Sequence, residues 1–292
     1  MAEPFGPYWL EQTINVGSIG EVFLARRTDG EPEQRRWRRA RRASRAIARV
    51  PRDGGPVVVK RLHRELARRP AHVQLFLEEG RMARRFTHDN LVHAFDAGTV
   101  DHDHYIAMDL VRGPNLAQLI QRGPIAPRAA LRIAADLLRG LAHMHERGVV
   151  HCDVSPTNVL VGRERVELAD FGVTNPVGEP QPQVRGTIAY MSPEQARGLA
   201  VDGRSDVFAV GAIVWELLAR RPLFARAAPH LSLAAVVEEP VPDPAEVSGA
   251  DPALATLAPA LAGALAKDPA ERLLSCAELA AALAAAAGDL SS

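Results

Sequence analysis

Between His151 and Gly172 the chain reads H-C-D-V-S-P-T-N, then a mostly apolar run, a turn, and D-F-G. Asp153, Asn158 and Asp170 supply hard oxygen atoms of the kind that hold magnesium or orient a hydroxyl proton. The chemistry such a set could do is phosphoryl transfer. Asp153 would accept or orient the proton of an attacking hydroxyl, Asn158 would bind one Mg²⁺, and Asp170 would hold another that bridges the β- and γ-phosphates of a nucleotide. Phe171 and His151 are expected to pack rather than react.

Two upstream motifs complete that set. The segment N-V-G-S-I-G-E-V, Asn15 to Val22, lies between two strand-like runs, and Gly17 and Gly20 would let backbone amides approach phosphate oxygens. An ordinary glycine hairpin would read the same way, and a dinucleotide-binding loop is disfavoured because a strand follows Gly20 instead of a helix. Next, V-V-V-K ends at Lys60, and the helical stretch after it carries Phe76 and Glu79 in F-x-x-E spacing. A lysine on a β-branched strand can serve the α- and β-phosphates if a carboxylate fixes it, and Glu79 is preferred over Glu78 for that role. The chain contains 33 Arg and only Lys60 and Lys267 as lysines, so a lysine here invites a chemical reason.

The elements that must position these residues fall into two halves. Residues 8–27 and 56–62 read as strands, 71–86 as a helix with apolar Val73, Phe76, Leu77 and Met82, and 91–110 as two strands around an H-D-H turn. After Gly113 the spacing becomes helical over 127–146, 204–219, 252–266 and 276–287. The chain of 292 residues can bury a full core, and 47% apolar with 24% charged residues argues against disorder. Two cysteines, Cys152 and Cys276, do not suggest a disulfide framework, no signal-peptide layout is present, and the longest apolar run, Val207 to Ala219, is too short for a bilayer and carries Glu216. The expected location is cytoplasmic. The pairs His102/His104 and His143/His145 are expected in turn and packing roles, since nothing completes a metal set around them.

Taken together, these motifs resemble the protein kinase superfamily, and most closely bacterial serine/threonine kinases of eukaryotic type. The resemblance runs from about 8 to 287. It implies an α+β, bilobal fold: a small β-rich lobe with one main helix over 8–111, a larger mainly α lobe over 113–287, short tails at 1–7 and 288–292, and ATP with Mg²⁺ in the cleft. Ile14, Val22, Val58 and Leu160 would sandwich adenine, Met108 would guard its pocket, and the backbones of Asp109 and Val111 would meet it. Val58 stands where alanine is usual. G-T-I-A-Y-M-S-P-E resembles the substrate-binding loop, with Glu194 pairing Arg272, and Asp206 matches the residue that ties down the catalytic loop.

Three departures qualify the resemblance. Cys152 replaces the arginine that usually precedes the catalytic Asp and receives an activation-loop phosphate. Consistent with that loss, Val173 to Gly186 contains one hydroxyl, Thr174, and several prolines. Ser155 replaces a lysine that contacts the transferring phosphoryl group, which lowers the expected rate. The implied function is ATP- and Mg²⁺-dependent phosphorylation of Ser/Thr in protein substrates in cytosolic signalling; the alternative is a pseudokinase or adaptor that binds nucleotide or a partner with little transfer. Finally, 28–55 is an insertion where a short hairpin loop is expected. From Arg26 to Arg52 eleven arginines face three carboxylates, and Trp37, Ala40, Ser44, Ile47 and Val50 fall near one helical face. A regulatory protein or a polyanion is its expected partner, and a solvated insert without a ligand is the competing reading.

Overall fold

In the computed structural model the described residues are 2–28, 55–180, 186–242, 247, 249 and 251–289. The insertion expected at 28–55 and its basic helix therefore lie almost wholly outside the described residues. The chain divides into two compact units, residues 1–87 with 92–110, and residues 88–91 with 111–292. Residues 88–91, expected with the first half, group with the second. No helix among the described residues is long and apolar enough to cross a membrane.

The smaller unit is a six-stranded antiparallel sheet. Its strands are β1 (Glu3–Phe5), β2 (Tyr8–Val16), β3 (Gly20–Arg27), β4 (Pro56–Leu62), β5 (Ala94–Val100) and β6 (Asp103–Asp109), in the order β1-β2-β3-β4-β6-β5. Two helices follow β4: α1 (Arg64–Ala67) and α2 (Pro70–Arg85), the latter opened by proline at its first position. The turn between β5 and β6 is Asp101–His102, both with positive φ, so it falls one residue before the expected H-D-H turn. Asp103 is already strand and is paired with Arg64.

Alternation along β4 decides what each face carries. Val57 and Val59 turn into an apolar cluster with Phe5, Tyr8, Leu10, Phe23, Ala25, Tyr105 and Ala107. Val58 and Lys60 therefore share the opposite face. Opposite Lys60 stand Val22 on β3 and Ile106 on β6, and opposite Val58 stand Leu24 and Met108. Helix α2 packs on that second face, where a Cβ on Gly80 would lie 3.1 Å from Ile106 and 3.2 Å from Ala97. Glycine lets the helix sit that close.

The larger unit is mainly helical: α3 (Leu116–Arg122), α4 (Pro127–His145), α5 (Pro193–Ala196), α6 (Gly203–Ala219), α7 (Pro229–Glu238), α8 (Ala253–Ala264) and α9 (Cys276–Asp289). Two small antiparallel pairs accompany them, β7 (Val149–Val150) with β10 (Asn175–Pro176), and β8 (Val159–Val161) with β9 (Val166–Leu168). Helix α4 buries Ile133, Leu137, Leu138, Leu141 and Met144 at three-and-four spacing. Helix α6 is buried at every position from Ser205 to Ala219, so it forms the centre of the unit. Each of its large apolar side chains contributes about 1.5–3 kcal/mol on burial. Asp202 caps it, its side chain accepting the Arg204 N–H.

Candidate active site

In the smaller unit, Lys60 Nζ lies 2.6 Å from Glu79 Oε1, with the lysine side chain 12% and the glutamate 6% exposed. The pair joins β4 to α2. It is possible because strand alternation sends Lys60 to the helix side, while the register of α2, set by Gly80, brings the neighbouring Glu79 over it. Gly17 and Gly20 close the β2–β3 turn, Gly17 N–H donating to the Gly20 carbonyl at 2.9 Å. Only glycine fits at position 20, where a Cβ would come 2.2 Å from the Arg61 carbonyl oxygen. Ile14 sits at a register shift between Thr13 and Asn15 and is exposed, whereas Val58 is buried beside Met108.

In the larger unit, β7 leads into His151-Cys152-Asp153. Cys152 has φ 66°, unusual for a residue with a Cβ and costly by about 1–3 kcal/mol. Hydrogen bonds on both sides offset that strain. Asp206 on α6 accepts the N–H of His151 at 2.9 Å and of Cys152 at 2.9 Å, and Gln195 Nε2 donates to the Cys152 carbonyl at 2.8 Å. Burial works against a charged Asp206, yet these donors and His145 hold its carboxyl below the usual range. His145 Nε2 sits 2.7 Å from Asp206, and Cys276 Sγ 3.6 Å from His145 Nδ1. Burial alone would lower the His145 pKa, but Asp206 and Cys276 outweigh it and raise it to about 10. The half-buried His145, with its pKa pushed up, thus fixes the anchor of the loop and does more than the packing expected of it.

The loop then presents Asp153. Its Oδ1 accepts the Thr187 N–H at 2.8 Å and its Oδ2 accepts Asn158 Nδ2 at 2.9 Å; the same amide also reaches the Asp153 carbonyl at 2.9 Å. Both carboxylate oxygens are thus oriented. With its nitrogen on Asp153, the Asn158 side chain keeps its oxygen for another partner. Asp170, with φ 66°, accepts the Gly172 N–H at 3.1 Å, and the Ala169 N–H donates to the Asn158 carbonyl at 2.9 Å, tying the two oxygen donors through backbone. His151 packs its ring 5.6 Å from Phe171 and is fully buried. Leu160 lies on β8, paired with Glu167, and Val111 begins the larger unit just after Asp109 ends β6.

Ser155 is fully buried and shares a hydrogen bond of 2.9 Å with the Thr157 hydroxyl. Cys152 joins Val150 and Val201 in a small apolar cluster against which Val173 packs, and burial raises its thiol pKa. The scaffold beneath is a buried ion pair: Arg272 donates to Glu194 at 2.7 Å and 3.0 Å, and Ser205 donates to the same carboxylate at 2.6 Å. Burial would raise the Glu194 pKa, but Arg272 lowers it below the usual value. Lys267 has a structural reason, its ammonium donating to the Val236 carbonyl at 2.5 Å above the Phe224 ring.

Gln195 and His145 were not legible as site residues, because each acts through a backbone group or a distant partner, and Thr187 was legible as part of the substrate-binding loop but not as a backbone donor to Asp153. The capping box of Ser192 and Gln195 was a usable signal for the segment holding Gln195.

The family model of the protein kinase domain matches residues 45–281. The chain belongs to the protein kinase family. This kinase domain is 32% identical over 285 residues to the serine/threonine-protein kinase PknB of Mycolicibacterium smegmatis, covering 93% of the chain and 41% of that protein. It is 34% identical over 288 residues to the probable PknB of Corynebacterium glutamicum, covering 94% and 41%. The kinase domain thus spans about two fifths of the length of these curated relatives. Among solved structures, the Mycobacterium tuberculosis PknI kinase domain is similar at TM-score 0.71 and 28% identity, covering 97% of each chain. The fold is accordingly the expected α+β, bilobal kinase fold.

Proposed function

We propose that this kinase domain transfers the γ-phosphoryl group of ATP to Ser/Thr hydroxyls of protein substrates, with Mg²⁺, in cytosolic signalling. The observation that carries the reading is the carboxylate of Asp153, fixed at one oxygen by the Thr187 N–H and at the other by the Asn158 amide. A base held in one orientation is ready to take a hydroxyl proton without reorganising. The Lys60–Glu79 pair supports the same reading, since a lysine so held can serve the α- and β-phosphates. A carboxylate at Asp170 and an amide oxygen at Asn158 suit magnesium, which keeps its remaining positions for water and phosphate. When bound, the metal would neutralise charge developing on the phosphates. Gly17 and Gly20 would line the phosphates of the nucleotide, and on the smaller unit Ile14, Val22, Val58 and the Asp109 backbone would receive adenine.

The Cys152 position supports activity independent of activation-loop phosphorylation. Its side chain packs among Val150, Val201 and Val173, and Thr174 donates its hydroxyl to the Phe171 carbonyl at 3.1 Å. The segment is further held by Val177 N–H on Gly148 and Gly178 N–H on Val201. Mass mapping of purified, active protein should find no stoichiometric phosphate between 173 and 186; one required for turnover overturns this.

Incubation with radiolabelled ATP, Mg²⁺ and a generic basic protein substrate, beside Asp153→Asn, tests the enzyme reading. Signal in the wild type alone is expected, and equal signals reject it. One observation favours a second reading, a pseudokinase: Ser155 brings no charge and spends its hydroxyl on Thr157. Losing one such stabiliser costs on the order of 10²–10³ in rate, which from about 1–100 s⁻¹ leaves about 0.001–1 s⁻¹. Thermal stabilisation by ATP and Mg²⁺ without any transfer would select that reading.

A further inference from the structure

A cavity of about 470 Å³ opens on the larger unit between the end of α3, the loop Gly123–Ile125, the first turns of α4 and the β8–β9 hairpin. None of Asp153, Asn158 and Asp170 lines it. Its walls include apolar Leu119, Ile125, Ile133 and Val161, and four arginines, Arg122, Arg132, Arg163 and Arg165, stand around them. A second cavity of about 250 Å³ shares Gly123, Pro124 and Ile125 and runs on to Leu217 and Arg220. The two form one groove folded over a single turn.

The charges there are unequally occupied. Arg165 pairs with Asp89 and Glu167, each at 3.1 Å, Arg132 donates to the Glu164 carbonyl, and Arg220 pairs with Asp251 at 3.6 Å. Arg122 and Arg163 are exposed and have no ion-pair partner among the described residues. Of the nearby carboxylates, Glu164 sits between Arg163 and Arg165 in the hairpin, and Glu216 accepts the Tyr190 hydroxyl at 2.5 Å, with burial raising its pKa. Positive charge therefore remains available beside aliphatic surface.

We propose that this groove docks an extended, acidic and aliphatic segment of a partner protein. An extended chain places side chains of one face about 6.4–6.8 Å apart, which suits two adjoining cavities, one apolar residue entering each while the main chain crosses the Gly123–Ile125 turn. Carboxylates on the other positions meet Arg122 and Arg163, where a planar guanidinium binds a carboxylate through two bonds. A small amphipathic acid would fill one cavity and leave the other.

The test uses the full chain and a fluorescein-labelled peptide, Asp-Leu-Glu-Ile-Asp-Leu-Glu-Ile-Asp-Leu, read by fluorescence anisotropy. Saturable binding is expected, weakened on the order of tenfold or more by the double substitution Arg122→Glu/Arg163→Glu, both at exposed positions that leave folding intact. A peptide with serine at every Leu and Ile should weaken similarly. A photo-crosslinking version should attach within 116–133 or 161–166. Equal affinity for the double variant, attachment within the arginine-rich 29–54 segment, or binding of decanoate without binding of the peptide would each overturn the proposal.

Discussion

The two units hold their key charged groups in different ways. In the larger one, Asp206 receives two buried backbone N–H groups and the half-buried His145 imidazole, and Glu194 receives a buried bidentate Arg272 and a buried serine hydroxyl. Arg272 also donates to the carbonyls of Ala266 and Arg204. In the smaller unit, the Lys60–Glu79 ion pair rests on how closely α2 approaches the sheet, and that approach is set by the missing side chain of Gly80. The difference teaches where adjustment is cheap. Moving the 151–153 loop means breaking an interlocked network, whereas the Lys60–Glu79 pair depends on one close approach of a helix to the sheet.

The largest effect should come from cutting the buried network. Arg272→Met leaves the Glu194 charge buried without its counter-ion, which costs about 3–5 kcal/mol, or about 6–20 °C in the Tm of the larger unit. Calorimetry checks it, and a fall below about 1 kcal/mol would show the network to be far looser than its geometry. Next in size, Lys60→Arg, which keeps a cation beside the buried Glu79 but changes its shape and reach, should lower phosphoryl transfer by on the order of 10²–10³ while leaving the Tm within about 2 °C. If both measures fell together, the pair would be structural, and the contrast between units would collapse.

A pH experiment sharpens the contrast from the other side. The folded-state pKa of His145, about 10, lies above the ordinary value for an unfolded chain, so its contribution is fully present below about pH 6.5 and is lost as pH rises towards 10. The wild type should therefore lose at least about 1 kcal/mol more than His145→Gln between pH 7 and 10, about 2–4 °C in Tm. Parallel pH profiles would mean that His145 is neutral in the fold and that Asp206 is held by backbone donors alone.

Much of this was legible in the chain because the informative residues lie on long, periodic elements or in fixed spacing. Lys60 and Glu79 could be paired from strand alternation and F-x-x-E, and α4, α6, α8 and α9 from apolar spacing. Short elements escaped: α1 has four residues and too few turns for a period, and α7 buries Ser232 with Ala235 and Val236 while leaving Leu231 exposed, so apolar spacing does not mark its face. Helix α3 carried a signal that was passed over, the Asn115 and Gln118 capping box. The burial of Ser155 could not be read at all. A serine is equally at home in water, and only the fold shows that its hydroxyl turns to Thr157. The same holds for Cys276, whose contact with His145 spans 131 positions.

The smallest expected effect is the most discriminating, because it pushes stability and activity in opposite directions. A Cβ at position 80 would sit 3.1 Å from Ile106 and 3.2 Å from Ala97, tight enough that α2 must give by a few tenths of an ångström. Alanine also favours a helix over glycine by about 0.8–1 kcal/mol, so Gly80→Ala should leave the Tm of the smaller unit unchanged or slightly higher. Yet the shift carries the adjacent Glu79 away from Lys60, and phosphoryl transfer should fall severalfold, about 1 kcal/mol in barrier. Glu79→Gln, which keeps the helix where it is and removes the charge, should lose more activity than Gly80→Ala with no gain in Tm. If Gly80→Ala kept full activity, the α2 approach would not govern the ion pair, and the smaller unit would be as firmly set as the larger.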